Sequence, residues 1–422
     1  MAVTPVVSAP GGLSDAVLAQ YEAYPCPGHP PGTAEPEVPD WLGYLRPLLW
    51  PRRQDLSGLK VLDAGCGTGA MTSGLARCHP EVNVLAIDIS ARSLEVAARR
   101  LGGCQGGNVR LRQLPIERAN ELDERFDLIV VWDVLHCVID APRVLRTLGD
   151  LLTPDGALIA SVRAPHGRAG AVALRSLMEA LGLGLECPEA IPRARSIIDN
   201  LSATHLFQRS EWQQDLAAGG DAAVVDLLLP ARQRLYNALE VFELVAESGL
   251  EFLRWFCPNM YCPRRYLADA DLLRPFEALG SAEQARAAEL LHSRMRNHVF
   301  VAVRPGHMPD SPQIDGDNWL EAIAVPSPLF RWRDARQETG QHGETVFAVT
   351  SEWEGTRATV RLQSWEALIV HVCATGQCLR DVCEHPKLVS GLGPLSAAQR
   401  AELVRGFLRR AIADDYVLLA WA

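Results

Sequence analysis

Asp63 ends a short apolar run at Val61-Leu62, and Asp88 closes another at Val82–Ile87. Between the two acids lies the loop Gly65-Cys66-Gly67-Thr68-Gly69. An apolar strand that stops at glycines and gives way to a helix near Ala70 is a cradle for a cofactor. Glycine lets the backbone approach a ligand closely, and the N–H groups at the start of the next helix point at whatever polar or negative group is held there.

The acids discriminate between ligands. Asp88 stands where dinucleotide folds grip a ribose diol, at the end of the second strand. Asp63 beside the loop repels a pyrophosphate but suits the cationic end of an amino acid. S-adenosylmethionine (SAM) carries both an ammonium and a sulfonium, so the loop favours SAM over NAD. A nicotinamide cofactor remains the alternative, because Gly65 to Ala70 also satisfies G-x-G-x-x-A.

These residues resemble motif I of the class I SAM-dependent methyltransferases, E/D-x-G-x-G-x-G. The resemblance runs through Ile87-Asp88-Ile89 and Phe126–Val131 to Leu152-Thr153-Pro154-Asp155-Gly156, covering roughly 59–162. More narrowly, Gln20-Tyr21-Glu22, Val134-Leu135-His136 and Glu247–Phe252 resemble a bacterial group of stand-alone or repeat-fused methyltransferases. The family implies a Rossmann-like α/β fold with a seven-stranded sheet, and SAM as cofactor. It also implies that Gly65, Cys66, Gly67, Thr68 and Gly69 form the methionine cradle with Asp63 organising it. Asp88 would then take the ribose hydroxyls, and Ile89 one adenine face. Leu114, Pro115 and Trp132 fall at the same strand tips. Pro115 departs from the family, which often has an acid there to read the adenine amino group; proline offers neither a side-chain acceptor nor an N–H. Adenine recognition then passes to the backbone of Leu114 or Ile116, or to Glu117.

Methyl transfer from a sulfonium is an in-line displacement, so the protein must align donor and acceptor and exclude water; a base is needed only for an acceptor that must lose a proton first. His136 is the candidate base, with Asp133 as its partner, or else His136 packs the helix that follows. Tyr21 and Tyr24 could lay an aromatic face against the sulfonium, or pack beneath a proline-rich arm. Arg163 and His166 could bind an acidic acceptor or end a solvated loop. Tyr236 is a further acceptor-site candidate that also fits an apolar face with Leu239. The reading these residues support is methyl transfer to a small molecule or peptide. Aminocarboxypropyl transfer, SAM cyclisation or lysis, and a non-catalytic SAM-binding scaffold are the alternatives.

The elements that must position these groups follow from the pattern. Residues 1–57 are proline-rich, with Tyr24-Pro25-Cys26-Pro27 and Pro30-Pro31, and read as an arm or lid. The SAM-binding domain spans 58–305, with strands expected at Lys60–Ala64, Asn83–Ile87, Val109–Gln113, Asp127–Trp132 and Ala157–Val162 alternating with helices, which means a parallel sheet covered on both faces. An Ala- and Leu-rich stretch at about 163–237 reads as a helical insertion. Strands Glu251–Phe256 and His298–Val303 then complete the sheet that the family implies. After the Pro/Gly/Asp stretch at 305–312, residues 306–422 read as a small α+β accessory domain. It should hold a hairpin turning at Glu354-Gly355, helices and a last strand, Tyr416–Trp421. Its order of elements resembles winged-helix or peptide-binding modules, and no activity is assigned to it.

A net charge of −10 disfavours a broad electrostatic grip on nucleic acid, and no run approaches the roughly 20 apolar residues of a spanning helix. The start of the chain lacks the basic and apolar segments of an export signal, so a cytoplasmic setting is expected. The eleven cysteines then read as reduced thiols. His371, Cys373, Cys378, Cys383 and His385 have gaps at the upper limit of a zinc knuckle, and five-residue steps on a helix would keep the three sulfurs off one face, so no metal is expected there, nor at Cys257 and Cys262.

Overall fold

The computed structural model describes residues 13–28, 40–102, 108–208, 212–340, 345–353 and 356–422. Pro30-Pro31 and the Glu354-Gly355 turn lie outside them. The chain divides into two compact units, one taking the residues up to 36 and Ser57–His307, the other 37–56 and Met308–Ala422.

The first unit is built on seven strands: β1 (Lys60–Ala64), β2 (Asn83–Asp88), β3 (Val109–Gln113), β4 (Phe126–Trp132), β5 (Leu152–Arg163), β6 (Glu251–Trp255) and β7 (Asn297–Val303). They lie in the order β3-β2-β1-β4-β5-β7-β6, with β7 antiparallel to both of its neighbours. Val61, Leu62, Leu85 and Ile87 are almost wholly buried. Each such side chain contributes about 1.5–3 kcal/mol, which explains why these strands read as continuous apolar runs. The order reverses between β1 and β4, and that switch point opens a crevice beyond the carboxyl ends of the strands. Asp63 sits there opposite Ala86, Asp88 opposite Gln113, and Trp132 opposite Ser161. β5 starts earlier than its apolar core suggests. Leu152 pairs with Phe126 ahead of an irregularity in the β4 ladder, so Thr153-Pro154-Asp155-Gly156 is drawn into the strand.

The insertion is helical, with helices Ala169–Ala180, Ala190–Asp199 and Trp212–Leu228. They share a small core of Leu174, Met178, Ala194, Phe207, Trp212 and Val224. Gly220, at φ +60°, kinks the third helix. Helix Leu13–Ala23 buries Val17 and Gln20.

In the second unit, β8 (Ala322–Pro326) pairs antiparallel with a last strand, Val417–Trp421. A separate three-stranded sheet is formed by Arg336–Thr339, Thr345–Trp353 and Thr356–Gln363. Helix Trp41–Leu49 belongs to this unit: the Tyr44 hydroxyl donates to Asp415 at 2.5 Å and the Trp421 N–H to the Pro51 carbonyl at 2.9 Å. The proline-rich start is therefore not one arm over 1–57. Trp41, Leu42, Leu45 and Leu49 carry a buried apolar face, and such a face needs a core of its own. Cys373 and Cys383 are buried in this unit's core with Phe407 and Leu408. Among the described residues, no cluster of three His, Cys, Asp or Glu side chains is arranged to hold a metal ion, and no helix is long and apolar enough to cross a membrane.

Candidate active site

The glycine loop is held shut by backbone bonds from β2. The N–H groups of Gly65 and Cys66 both donate to the Ile87 carbonyl, at 2.8 and 2.9 Å. Gly65 and Gly67 have φ of +88° and +52°, where a side chain would be strained. Space closes the case at Gly67, since a Cβ there would lie 2.4 Å from the Cys26 carbonyl oxygen. Asp88 accepts from the N–H of Gly67 at 2.8 Å and of Ser90 at 2.9 Å. Ser90 in turn caps helix Ala91–Leu101 by accepting from Ser93 N–H. Asp63 accepts from the Thr72 hydroxyl at 2.5 Å. Burial pushes both carboxyls up to about 6, since neither has a cationic side chain on it to offset desolvation.

The N-terminal segment lies directly on this loop. Thr68 donates its N–H to the Cys26 carbonyl at 3.1 Å and its hydroxyl to the Pro27 carbonyl at 2.9 Å. Buried Arg100 donates to the Thr68 hydroxyl and carbonyl from the other side. Ser90 reaches the Tyr21 carbonyl at 3.3 Å, and Arg92 N–H reaches Glu22 at 3.3 Å. Cys26 and Pro27 thus cover the glycines with carbonyl groups.

At the tips of β4 and β5 the chemistry differs from the sequence expectation. Arg163 is no solvated loop end: it is 1% exposed and donates to Asp133 at 3.0 and 2.9 Å and to the Asp226 carboxylate at 2.7 Å. A guanidinium so engaged has little left for an acidic acceptor. Asp133, at φ +54°, is committed to Arg163 rather than to His136, whose Nδ1 is 3.6 Å away. Burial outweighs that contact and, with the Arg163 charge, holds His136 at about 3. Among the described residues, neither ring nitrogen of His136 has a hydrogen-bond partner. A histidine this hard to protonate is a poor general base at neutral pH, because the base works best with a pKa near the operating pH.

Asp226 was not singled out in the sequence. Its one signal is an acid inside the apolar run Val224-Val225-Asp226-Leu227-Leu228. It also accepts from the Tyr21 hydroxyl at 3.3 Å, so arm, strand tip and insertion meet at one carboxylate. Leu114 is buried and its N–H donates to the Asp88 carbonyl at 2.9 Å; Gln113 donates to the Ile89 carbonyl. Pro115 opens the 3-10 turn Ile116–Glu121, and Trp132 is half-buried at the end of β4. Tyr24 is also half-buried. Two candidates sit in structural networks instead. His166 accepts from Arg286 at 3.0 Å beside the buried Glu289–His298 pair. Tyr236 is 1% exposed in the core under the sheet, its N–H on the Arg163 carbonyl and its hydroxyl without a hydrogen-bond partner among the described residues.

The sequence profile of the methyltransferase domain matches residues 62–158, the stretch that carries the glycine loop, Asp88 and β4. A Synechococcus protein of uncharacterized activity is 30% identical over 339 residues, covering 76% of this chain and 79% of its own. The chain belongs to the class I SAM-dependent methyltransferases. Two further relatives of this methyltransferase are a ubiquinone biosynthesis O-methyltransferase of Methylocella silvestris, 37% identical over 106 residues, and a trans-aconitate 2-methyltransferase of Deinococcus radiodurans, 39% identical over 110. The matches span 25% and 26% of this chain and 40% of each relative. The fold as a whole is shared with PKMT2 from Rickettsia typhi, at 16% identity with a TM-score of 0.64, covering 93% of this chain and 77% of that one. That protein has also been solved in complex with AdoHcy. As a member of its family the methyltransferase uses SAM, and the nicotinamide reading of the glycine loop falls away.

Proposed function

We propose that this methyltransferase moves the SAM methyl group to a small-molecule or peptide acceptor that enters between the N-terminal helix and the helical insertion. The residues present fit the cofactor: two glycines whose side-chain space is already taken, and a buried carboxylate, Asp88, with no cationic side chain on it. Gly65, Cys66, Gly67, Thr68 and Gly69, with Asp63, would hold the methionine portion. Asp88 would hold the ribose, and Ile89, Leu114 and Pro115 would border the adenine. Bound SAM supplies an electrophilic methyl on a positively charged sulfur.

The chain's own part is alignment and exclusion of water. Backbone carbonyls of Cys26 and Pro27 cap the loop, and Tyr21 is tied to Asp226 on the opposite wall. In such an enclosed crevice Trp132 and Tyr24 border the acceptor, while Arg163 fixes Asp133. His136 and Asp133 then act by shaping the tip of β4 rather than by taking a proton. The single observation that carries this reading is the closure of the arm on Thr68, which turns an open sheet edge into a covered site.

The net charge of −10 supports an acceptor other than nucleic acid. The free thiols of the described cysteines support a reducing, cytoplasmic setting. The test is mass spectrometry of reactions with purified protein and methyl-labelled SAM, with and without cell extract. Label arriving in an extract component is expected. Products formed from SAM alone would turn the reading towards cyclisation or lysis.

A further inference from the structure

A cavity of about 580 Å³ opens between helix Leu13–Ala23 and the insertion. Its walls are largely apolar, with Ala16, Ala19, Met178, Leu183, Leu228 and Leu229 among them. That volume lies in the range of small-molecule sites, and a mostly apolar wall with a few placed polar groups is their usual make-up. The same two elements build the active-site wall, because Tyr21 on the first helix meets Asp226, which lies just before Leu228.

The polar groups of the cavity are few, and they specify its ligand. Arg175 is spent within the wall, donating to Glu179 at 3.0 Å and to Gln233 at 3.0 Å, so it offers no free cation to an anionic ligand. Glu186 is exposed, with its carboxylate folded back over Gly184. Gln20 is 4% exposed, and its side-chain oxygen accepts from the Ala231 N–H at 2.7 Å. That bond fixes which end of the amide is oxygen, and leaves the NH2 end as a built donor on the cavity wall.

We infer that this cavity binds the apolar body of the methyl acceptor, a neutral organic group bearing a carbonyl or similar hydrogen-bond acceptor that the Gln20 amide N–H2 receives. The inference rests on the cofactor reading given above and names the chemical class of the acceptor. An anionic body is disfavoured because Arg175 is already paired, and a cationic one because the lining carboxylate Glu186 is exposed and leaves a charge placed among the apolar side chains without a desolvated partner.

The test uses the full chain loaded with AdoHcy and ligand-observed NMR. The probes are acetanilide, phenylacetate and phenethylammonium, which are of similar size and differ in charge. Acetanilide is expected to bind at least tenfold more tightly than either ion. Ala19→Trp, at an exposed position of the helix that lines the cavity, should weaken it at least tenfold; Ala16→Trp serves if that variant folds poorly. Gln20→Glu keeps the acceptor for Ala231 but removes the donor, and should weaken acetanilide severalfold. AdoHcy affinity, followed by calorimetry, should stay the same in all of them. Equal binding of the three probes, no acetanilide binding with AdoHcy affinity intact, or indifference to Ala19→Trp overturns the inference. Failure of AdoHcy to bind the unaltered chain overturns the cofactor reading beneath it.

Discussion

Arg163 grips Asp133 through two nitrogens at once, Nε at 3.0 Å and Nη2 at 2.9 Å, and the residue it grips has left-handed backbone at φ +54°. The pair explains how a non-glycine residue is kept in that conformation at the tip of β4, where strain of about 1–3 kcal/mol must be offset by surrounding contacts. The neighbouring Asp226 makes the group a part-buried cluster of two acids on one cation; against burial, the Arg163 guanidinium holds the Asp133 carboxyl far below its usual range.

Removing the cation is therefore expected to be severe. Arg163→Met takes the cation from two part-buried carboxylates and should lower the unfolding free energy by about 1.5–3 kcal/mol, measured by urea titration. Arg163→Lys should restore only part of this, because an ammonium cannot make the forked contact.

Asp88→Ala should weaken AdoHcy by about 1–3 kcal/mol in calorimetry, through loss of charge-assisted hydrogen bonds to the ribose. The carboxyl stands at about 6 against an ordinary 3.8, so AdoHcy affinity should rise as pH climbs through 6. The sign for the unliganded fold is opposite. A carboxyl raised on folding contributes its stability in full below the unfolded value and loses it as pH rises through the folded one, roughly 3 kcal/mol for a shift of this size. Both slopes should flatten in Asp88→Asn, and an affinity that stays level between pH 5 and 7 in the unaltered chain would count against the ribose role.

Gly67→Ala puts a methyl 2.4 Å from the Cys26 carbonyl at a positive φ. The arm must lift for it to fit. AdoHcy dissociation measured by stopped flow should quicken by tenfold or more, and the fold should lose about 1–3 kcal/mol.

His136 is held neutral to about 3 by burial. A histidine depressed on folding contributes fully above its unfolded value of 6.5 and loses that contribution as pH falls from there towards 3. His136→Gln should remove this acid sensitivity in melting curves. Turnover should fall by less than tenfold, with no change in the shape of its pH profile; loss of the acid-side limb of that profile would restore the proton-accepting role.

Tyr21→Phe deletes the hydroxyl that reaches Asp226 at 3.3 Å. The expected cost is about 0.5–1.5 kcal/mol of stability, seen by calorimetric melting, with a higher KM for the acceptor and little change in AdoHcy affinity.

The first unit was largely legible in the sequence because β1, β2 and β4 are mainly apolar runs followed or closed by Gly65, Asp88 and Asp133, and such runs have one buried solution. β8 was not, since Ala322–Pro326 is short and becomes a strand only through its pairing with Val417–Trp421 far along the chain. The glycine loop and Asp88 could be read for the same reason that they are needed: few residue types tolerate those backbone angles and that burial. The partners of Arg163 could not. Asp133 and Asp226 are separated in sequence by most of the insertion, and neither spacing nor composition says that one guanidinium will claim both. His136 shows the same limit, because a histidine beside an aspartate reads as a dyad until a stronger cation takes the aspartate.

Helix Trp41–Leu49 finds its core against Val417–Trp421, and that has a consequence during synthesis. The helix leaves the ribosome with Trp41, Leu42, Leu45 and Leu49 bare, and its partner strand is translated on the order of tens of seconds later. Through that interval a nascent chain carries a sticky apolar stripe, which makes it a client for chaperones and ties the second unit's maturation to the arrival of its final strand.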